Sequence, residues 1–241
     1  MATPLLWLRS LVFYIGFGVT TFWFGTTSLL IFWLPYRIRA AYILLWNRLV
    51  VWWLMVCCGI NFKVTGLNCL NERPMVIVSN HQSNWETFFL QQHFRPVATI
   101  LKHELLNLPF FGWGLRQMRP IAIDRGSPKE SMRQMLRQGK LRLDQGLSVL
   151  VFPEGTRKEA GSPIRFARGG AGLAVYADVD VLPVAHNAGY FWPNGQFIKR
   201  PGTIEVAIGP ILKQQGHTAA ELNKQAKEWV ENALAEMDTA K

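Results

Sequence analysis

Neither aspartate nor glutamate occurs in the first 62 residues of this 241-residue chain. Charge there is confined to Arg9, Arg37, Arg39 and Arg48, while six of the ten tryptophans (Trp7, Trp23, Trp33, Trp46, Trp52 and Trp53) fall in the same segment. So little charge excludes an ordinary solvated domain for this part of the chain. Leu11–Leu34 has no charged residue in 24 positions, and a helix of roughly 20 apolar residues is enough to span a bilayer core. A second apolar run, Ala40–Ile60, is interrupted by Asn47 and Arg48. A charge in mid-helix is costly in lipid, so this helix is expected to lie shallow or to pack against the first. Scattered tryptophans favour headgroup depth. A secretory signal peptide fits poorly, because the run is too long and no small-residue cleavage site follows it. Pro35–Arg39 reads as the connection, with Pro35 ending the first helix.

Cysteine is scarce as well. Cys57, Cys58 and Cys69 make neither a disulfide framework nor a metal set. The adjacent pair sits in an apolar run, is expected to be buried, and fits a reducing, cytoplasmic side. No glycine elbow surrounds Ser79 or Ser83, which disfavours a serine nucleophile. The glycine-rich "ARGGAG" lacks the Gly-Lys-Ser/Thr ending of a P-loop. The basic residues are dispersed and no nucleic-acid motif accompanies them. Internal repeats and low-complexity tracts are absent too.

From Lys63 onward the composition becomes that of a water-soluble α/β domain, giving a division into residues 1–62 and 63–241. This second part carries +6 of the total +10 charge, a balance that favours an anionic partner such as a phospholipid surface or a phosphorylated substrate. Short apolar runs predict strands at Met75–Ser79, Val97–Leu101, Ile121–Ile123, Leu147–Phe152, Val179–Val184 and Gly202–Ile208. Helices are predicted over Glu86–Phe94, over Glu104–Met118 with a break at Pro109, from Ser127 to Asp144, and from Thr218 onward. Ser127, Pro128 and Glu130 form a helix-start signature of N-cap, first-turn proline and capping box. The alternation argues a largely parallel central sheet flanked by helices, preceded by a two-helix membrane-attachment motif.

Function in such sheets gathers at the carboxyl ends of strands, and two polar strings fall there. "NHQSNWE" follows the first predicted strand and offers His81 with Glu86 five positions on. An imidazole can take and return a proton near neutrality, and a carboxylate on its other nitrogen fixes the tautomer. The same two residues also suit a strand end and a helix start, where a carboxylate meets the helix dipole. A metal site is disfavoured, because one His and one Glu leave the ligand set incomplete. "PEGTR" follows the Leu147–Phe152 run and supplies Glu154, Gly155, Thr156 and Arg157. Arginine's planar fork suits phosphate oxygens, and glycine lets the backbone approach an anion closely. Lys102 and Arg125 stand at two further strand ends. Several cations beside one histidine suit a phosphorylated substrate with a hydroxyl to be activated, although a solvated basic loop is the plainer alternative.

These strings also resemble the four ordered blocks of the glycerolipid acyltransferases. "NHQSNWE" is similar to their histidine–four-residues–acid motif and "FPEGTR" to their glutamate–glycine–threonine–arginine motif. "GWGLRQMRPIAIDR", ending at Arg125, resembles the second block, and "VDVLPVAHNAG", with Pro183, resembles the fourth. The match covers about residues 74–190 and is closest to the bacterial 1-acyl-glycerol-3-phosphate (lysophosphatidic acid) acyltransferases. One departure is the acid: the family usually carries aspartate where this chain has Glu86.

The resemblance implies acyl transfer from acyl-CoA or acyl carrier protein to the 2-hydroxyl of lysophosphatidic acid, giving phosphatidic acid without a cofactor. His81 would be the base and Glu86 its partner. Arg157, Thr156, Gly155, Glu154, Lys102 and Arg125 would surround the substrate phosphate, with Glu154 organising its loop by pairing with a neighbouring base. Membrane attachment at the cytoplasmic (inner) membrane, with the domain facing the cytoplasm, is implied too. An acyl pocket is expected between domain and bilayer, with Phe110, Phe111 and Trp113 as candidate lining or simply core. Other lipid acceptors, hydrolysis, and a non-catalytic lipid-binding protein are the competing functions.

Overall fold

A computed structural model describes residues 3–66, 73–124 and 126–239. The chain opens with two long helices, α1 (Pro4–Ser28) and α2 (Tyr36–Cys58). Strands then alternate with helices: β1 (Ile60–Thr65), β2 (Val76–Ser79), α3 (Trp85–His93), β3 (Val97–Lys102), α4 (Phe111–Gln117), β4 (Ile121–Ile123), α5 (Pro128–Asp144), β5 (Ser148–Val151), α6 (Gly169–Ala177), β6 (Val181–His186), β7 (Gly202–Ile208) and α7 (Ala219–Thr239). Among the described residues seven strands form one sheet in the order β1-β7-β6-β2-β5-β3-β4. Its pairings are parallel except that of β6 with β7.

The sheet has two covered faces, as parallel strands require. Every residue of β2 and β6 is buried, which is why both read as continuous apolar runs. Ile77, Leu150, Leu182 and Val184 turn to one face and pack with α2 and α3. Val76, Val78, Val149 and Val151 turn to the other and meet α5, α6 and α7. The Ser127 hydroxyl caps α5 by accepting from the Glu130 amide, and Thr218 with Glu221 makes the reciprocal cap of α7.

Several details differ from the sequence expectation. α1 stops at Ser28 rather than Leu34, and Pro35 serves as the N-cap of α2, since proline's fixed φ suits a helix start. β1 was not foreseen, because "INFKVT" is an edge strand with mostly exposed positions and lacks an apolar run. It begins at Ile60, so the boundary expected at residue 62 falls inside it. Pro109 separates a 3-10 turn, His103–Asn107, from α4.

α2 is not a free-standing membrane helix. Ile43, Trp46, Asn47, Val50 and Leu54, one stripe at helical spacing, are buried against the domain, while Arg48 on another face is exposed. Each fully buried large apolar side chain there contributes about 1.5–3 kcal/mol. α1 is clamped as well. Lys199, buried at 1% exposure, donates from Nζ to the Tyr14 hydroxyl at 2.8 Å and to the carbonyls of Gln196 and Phe197, while its backbone amide donates to Ser10 Oγ. Burial lowers its ammonium to about 8. The remaining faces of α1 and α2 present large exposed apolar side chains, among them Leu8, Ile15, Val19, Phe22, Trp23 and Trp52. Both helices are long and apolar enough to cross a membrane.

Candidate active site

β2 and β5 lie side by side, so the loops leaving their carboxyl ends meet. That adjacency brings "NHQSNWE" onto "PEGTR". His81 is held by its backbone at both ends: its N–H donates to Glu154 Oε1 at 2.8 Å, and its carbonyl accepts from the Lys158 amide at 2.8 Å. The Phe152 ring stacks on the imidazole with centroids 4.2 Å apart and planes at 17°. The ring therefore has little freedom to rotate or tilt.

Glu86, in the first turn of α3, is fully buried, and its Oε1 accepts three bonds: from His81 Nδ1 at 2.8 Å, the Gln82 amide at 3.0 Å and the Ser83 amide at 2.9 Å. Burial opposes its ionisation, but nearby His186, the His81 bond and the Ser83 amide together favour the carboxylate and hold the carboxyl below its ordinary value. A carboxylate can only accept, so it fixes the Nδ1–H tautomer of His81. Nε2, with its lone pair, is left for the cavity beside it.

The cavity, about 290 Å³, runs from His81 towards α2. Lys102, Thr156 and Arg157 line its polar part, and Ile43, Trp46 and Phe111 its apolar part. Arg157 Nε donates to the Ser83 carbonyl at 2.8 Å, which ties the guanidinium to the loop between His81 and α3. Burial lowers the guanidinium from its ordinary value, and the Glu86 charge opposes that fall. Gly155 makes the turn at φ 71°, in the left-handed region where glycine carries no steric penalty. Lys102 reaches the cavity from the end of β3 and pairs with Glu104 at 3.4 Å. Arg125 lies outside the described residues.

Glu154 differs from its expected role. It takes the backbone amide of His81, not a basic side chain. Burial pushes its carboxyl up from the ordinary value, against the amide bond and the Lys158 charge. Of the aromatics expected at an acyl pocket, Phe111 lines the cavity, while Phe110 packs on Phe22 and Trp113.

Other residues support the site from outside the two strings. His186 is fully buried: its backbone amide donates to Asn80 Oδ1, Nε2 donates to the Asn80 carbonyl at 2.9 Å, and Nδ1 accepts from the Ala188 amide. Burial depresses its pKa, so it is a neutral strut that holds the strand end before His81. Asn47 on α2 donates to Gln91 on α3, which donates to Thr99 on β3, a buried polar chain along the cavity wall. Only the interruption of an apolar run hinted at Asn47, and nothing in the sequence pointed to its partners.

A buried acid–histidine pair at the carboxyl edge of a parallel sheet, facing a cavity with cations at one end and apolar walls at the other, fits an enzyme that acts on a lipid-like substrate with an anionic group. The chain matches the acyltransferase family model over residues 61–187 and belongs to that family. It is 46% identical over 235 residues, 95% of this chain and 91% of the relative, to the 1-acyl-sn-glycerol-3-phosphate acyltransferase of Pseudomonas aeruginosa. It is 32% identical to 1-acyl-sn-glycerol-3-phosphate acyltransferase beta of Homo sapiens, over 68% of this chain and 60% of that one. The crystal structure of the 1-acyl-sn-glycerophosphate (LPA) acyltransferase PlsC from Thermotoga maritima superimposes with a TM-score of 0.79 at 25% identity, covering 96% of this chain and 95% of that chain.

Proposed function

We propose that this protein is a membrane-attached enzyme that transfers a fatty acyl group from an acyl thioester to the 2-hydroxyl of lysophosphatidic acid, giving phosphatidic acid. The observation that carries the mechanism is the 2.8 Å contact of His81 Nδ1 with buried Glu86, which directs Nε2 to the cavity. Nε2 takes the proton of the lipid hydroxyl as its oxygen attacks the thioester carbonyl. The tetrahedral intermediate then collapses, the carbon–sulfur bond breaks, and the leaving thiolate receives the proton from the imidazolium. Glu86 steadies that imidazolium through Nδ1.

Arg157, with Thr156 and Lys102, receives the substrate phosphate, and Arg125 is assigned to the same role on sequence grounds. A planar guanidinium offers phosphate a two-pronged contact, and Nε of Arg157 is already taken by Ser83, so the terminal nitrogens remain for substrate. Glu154 serves by fixing the His81 backbone. The exposed apolar faces of α1 and α2 rest in the bilayer, and the site meets its lipid there. The basic excess of the chain suits the anionic cytoplasmic face of the inner membrane. The donor is an acyl-CoA or an acyl carrier protein.

The test is transfer of a labelled acyl group to lysophosphatidic acid by the full chain in lipid nanodiscs. Label should appear in phosphatidic acid, and His81→Ala should lose it while keeping its melting temperature. Full activity in His81→Ala would overturn the base assignment. Free fatty acid as the main product would make the protein a hydrolase.

A further inference from the structure

Asn47, Gln91 and Thr99 form a line of buried side chains on the wall of the cavity that His81 faces. They come from three elements, α2, α3 and β3. Asn47 Nδ2 donates to Gln91 Oε1 at 2.9 Å, and Gln91 Nε2 donates to Thr99 Oγ1 at 3.0 Å. Exposure is 1% at Asn47 and 7% at each of the other two. Asn47 stands one turn from Ile43, on the face of α2 that gives the cavity an apolar wall. A polar line in such a place is costly unless its hydrogen-bonding capacity is used. Within the protein that use is incomplete. Among the described residues, the second amide N–H of Asn47 and the O–H of Thr99 make no hydrogen bond. Two donors therefore stand on the cavity wall, one on either side of the Gln91 amide.

We infer that Asn47 and Thr99 form a subsite for the sn-1 ester carbonyl of the lysolipid acceptor, the group that distinguishes a 1-acyl lipid from a 1-O-alkyl one. The inference rests on the acyl-transfer reading above and adds how the acceptor's acyl linkage is read. Its place follows from the ends already assigned. With the phosphate at Lys102, Thr156 and Arg157 and the 2-hydroxyl at His81 Nε2, the remaining glycerol carbon and its ester lie between those groups and the apolar wall of Ile43, Trp46 and Phe111. Thr99 is three residues before Lys102 on β3, about 10 Å down the strand. The bonds from phosphorus to the ester carbon reach about 7 Å when extended, and a contact at each end makes up the rest. The chemistry agrees too. An ester carbonyl accepts hydrogen bonds and gives none, and this wall offers donors. A few placed polar groups in a mostly apolar pocket are what orient a ligand. An ether at the same place brings no carbonyl and leaves both donors unpaired. Gln91 is the positioning residue that holds the two donors. A line that only pinned α2 to α3 and β3 would be indifferent to the acyl linkage.

The test compares 1-palmitoyl- with 1-O-hexadecyl-lysophosphatidic acid on the full chain in nanodiscs, with saturating palmitoyl-CoA. In the wild type kcat/KM should favour the ester about tenfold, because the ether leaves buried donors unpaired. This arm needs no variant, and a ratio within twofold of one would overturn the inference. Asn47→Leu and Thr99→Val each remove one donor at nearly constant volume, and each should bring the ratio to about threefold or below. A fall in one variant alone assigns the carbonyl to that donor. Thr99→Ser keeps the O–H and should keep the ratio. If both variants slow the ester and the ether equally, so that the ratio stays at its wild-type value, the line is a strut and the subsite is refuted. Calorimetric binding of the 2-deoxy pair, 1-octanoyl- and 1-O-octyl-propanediol 3-phosphate, separates this from the acceptor assignment, since neither can be acylated. Tighter binding of the ester in the wild type, lost in the variants, upholds the subsite even if lysophosphatidic acid is not acylated. Equal binding of the two lipids by the wild type sinks it.

Discussion

Shortening Glu86 by one methylene is the sharpest perturbation of the site, because aspartate is the usual acid in sequences of this kind. Three donors converge on one oxygen of Glu86: the imidazole Nδ1 and the amides of Gln82 and Ser83. Glu86→Asp withdraws that oxygen by one carbon–carbon bond, about 1.5 Å. The contact with Nδ1, now 2.8 Å, opens to about 4 Å unless the backbone follows. It cannot follow freely. The His81 carbonyl is tied to Lys158 and the Ser83 carbonyl to Arg157, so movement of the loop disturbs "PEGTR" as well. Lost bonds to a charged acceptor cost about 1.5–3 kcal/mol each, only partly recovered by relaxation. An imidazole without its orienting partner should lose about a hundredfold in kcat/KM. Glu86→Gln keeps the reach and the tautomer but not the charge. It also puts an amide donor where Oε2 has no hydrogen-bond partner among the described residues, at a cost of about 1–3 kcal/mol. Initial rates of acyl transfer with saturating donor, paired with melting temperatures, separate the two effects. Glu86→Asp with kcat/KM within threefold of wild type, while His81→Ala is inactive, would refute the geometry assigned to the pair.

Acid should weaken the fold from about pH 6.5 downward. His186, whose ordinary value is 6.5, binds a proton readily when unfolded and resists it when buried. The unfolded state then holds more protons, and stability falls with pH by up to about 1.4 kcal/mol per unit from this group. Glu86, depressed below 4.5, acts in the same direction: its contribution is full above that value and is lost as pH falls through its folded value. Denaturant midpoints measured from pH 7.5 to 4 check both signs, and a midpoint constant across that range contradicts them. Lys199→Met should cost about 3 kcal/mol, because it leaves the Gln196 and Phe197 carbonyls without their charged donor; a melting temperature equal to that of wild type would contradict it. Removal of residues 1–58 should yield aggregated protein, because Phe88, Phe89 and Trp192 lose the cover of Phe13, Trp46 and Leu54. A monomeric truncation with a cooperative melt, seen by size exclusion and calorimetry, would show that the helices are dispensable to the core.

The sequence by itself determined the local architecture and the chemistry on offer. Charge-free and charge-poor runs marked the two N-terminal helices, the apolar runs of β2, β5 and β6 marked the buried centre of the sheet, and Ser127 with Glu130 marked the start of α5. These are legible because periodicity, capping and burial act on residues close in the chain. His81, Glu86, Thr156 and Arg157 stood out for the same reason, as polar strings straight after buried strands. What only the tertiary structure decided depends on which strands are neighbours. The pairing of β2 with β5 put Phe152 on the imidazole and Glu154 on the His81 amide, contacts between residues more than 70 positions apart. Packing of α2 on α3 turned Asn47 from an anomaly in an apolar run into a hydrogen-bonded part of the cavity wall. The place of Glu86 was settled the same way, since spacing shows that an acid follows the histidine but not that its oxygen sits 2.8 Å from Nδ1. Long-range pairing is fixed by the summed fit of the core, and no single window of sequence contains that sum.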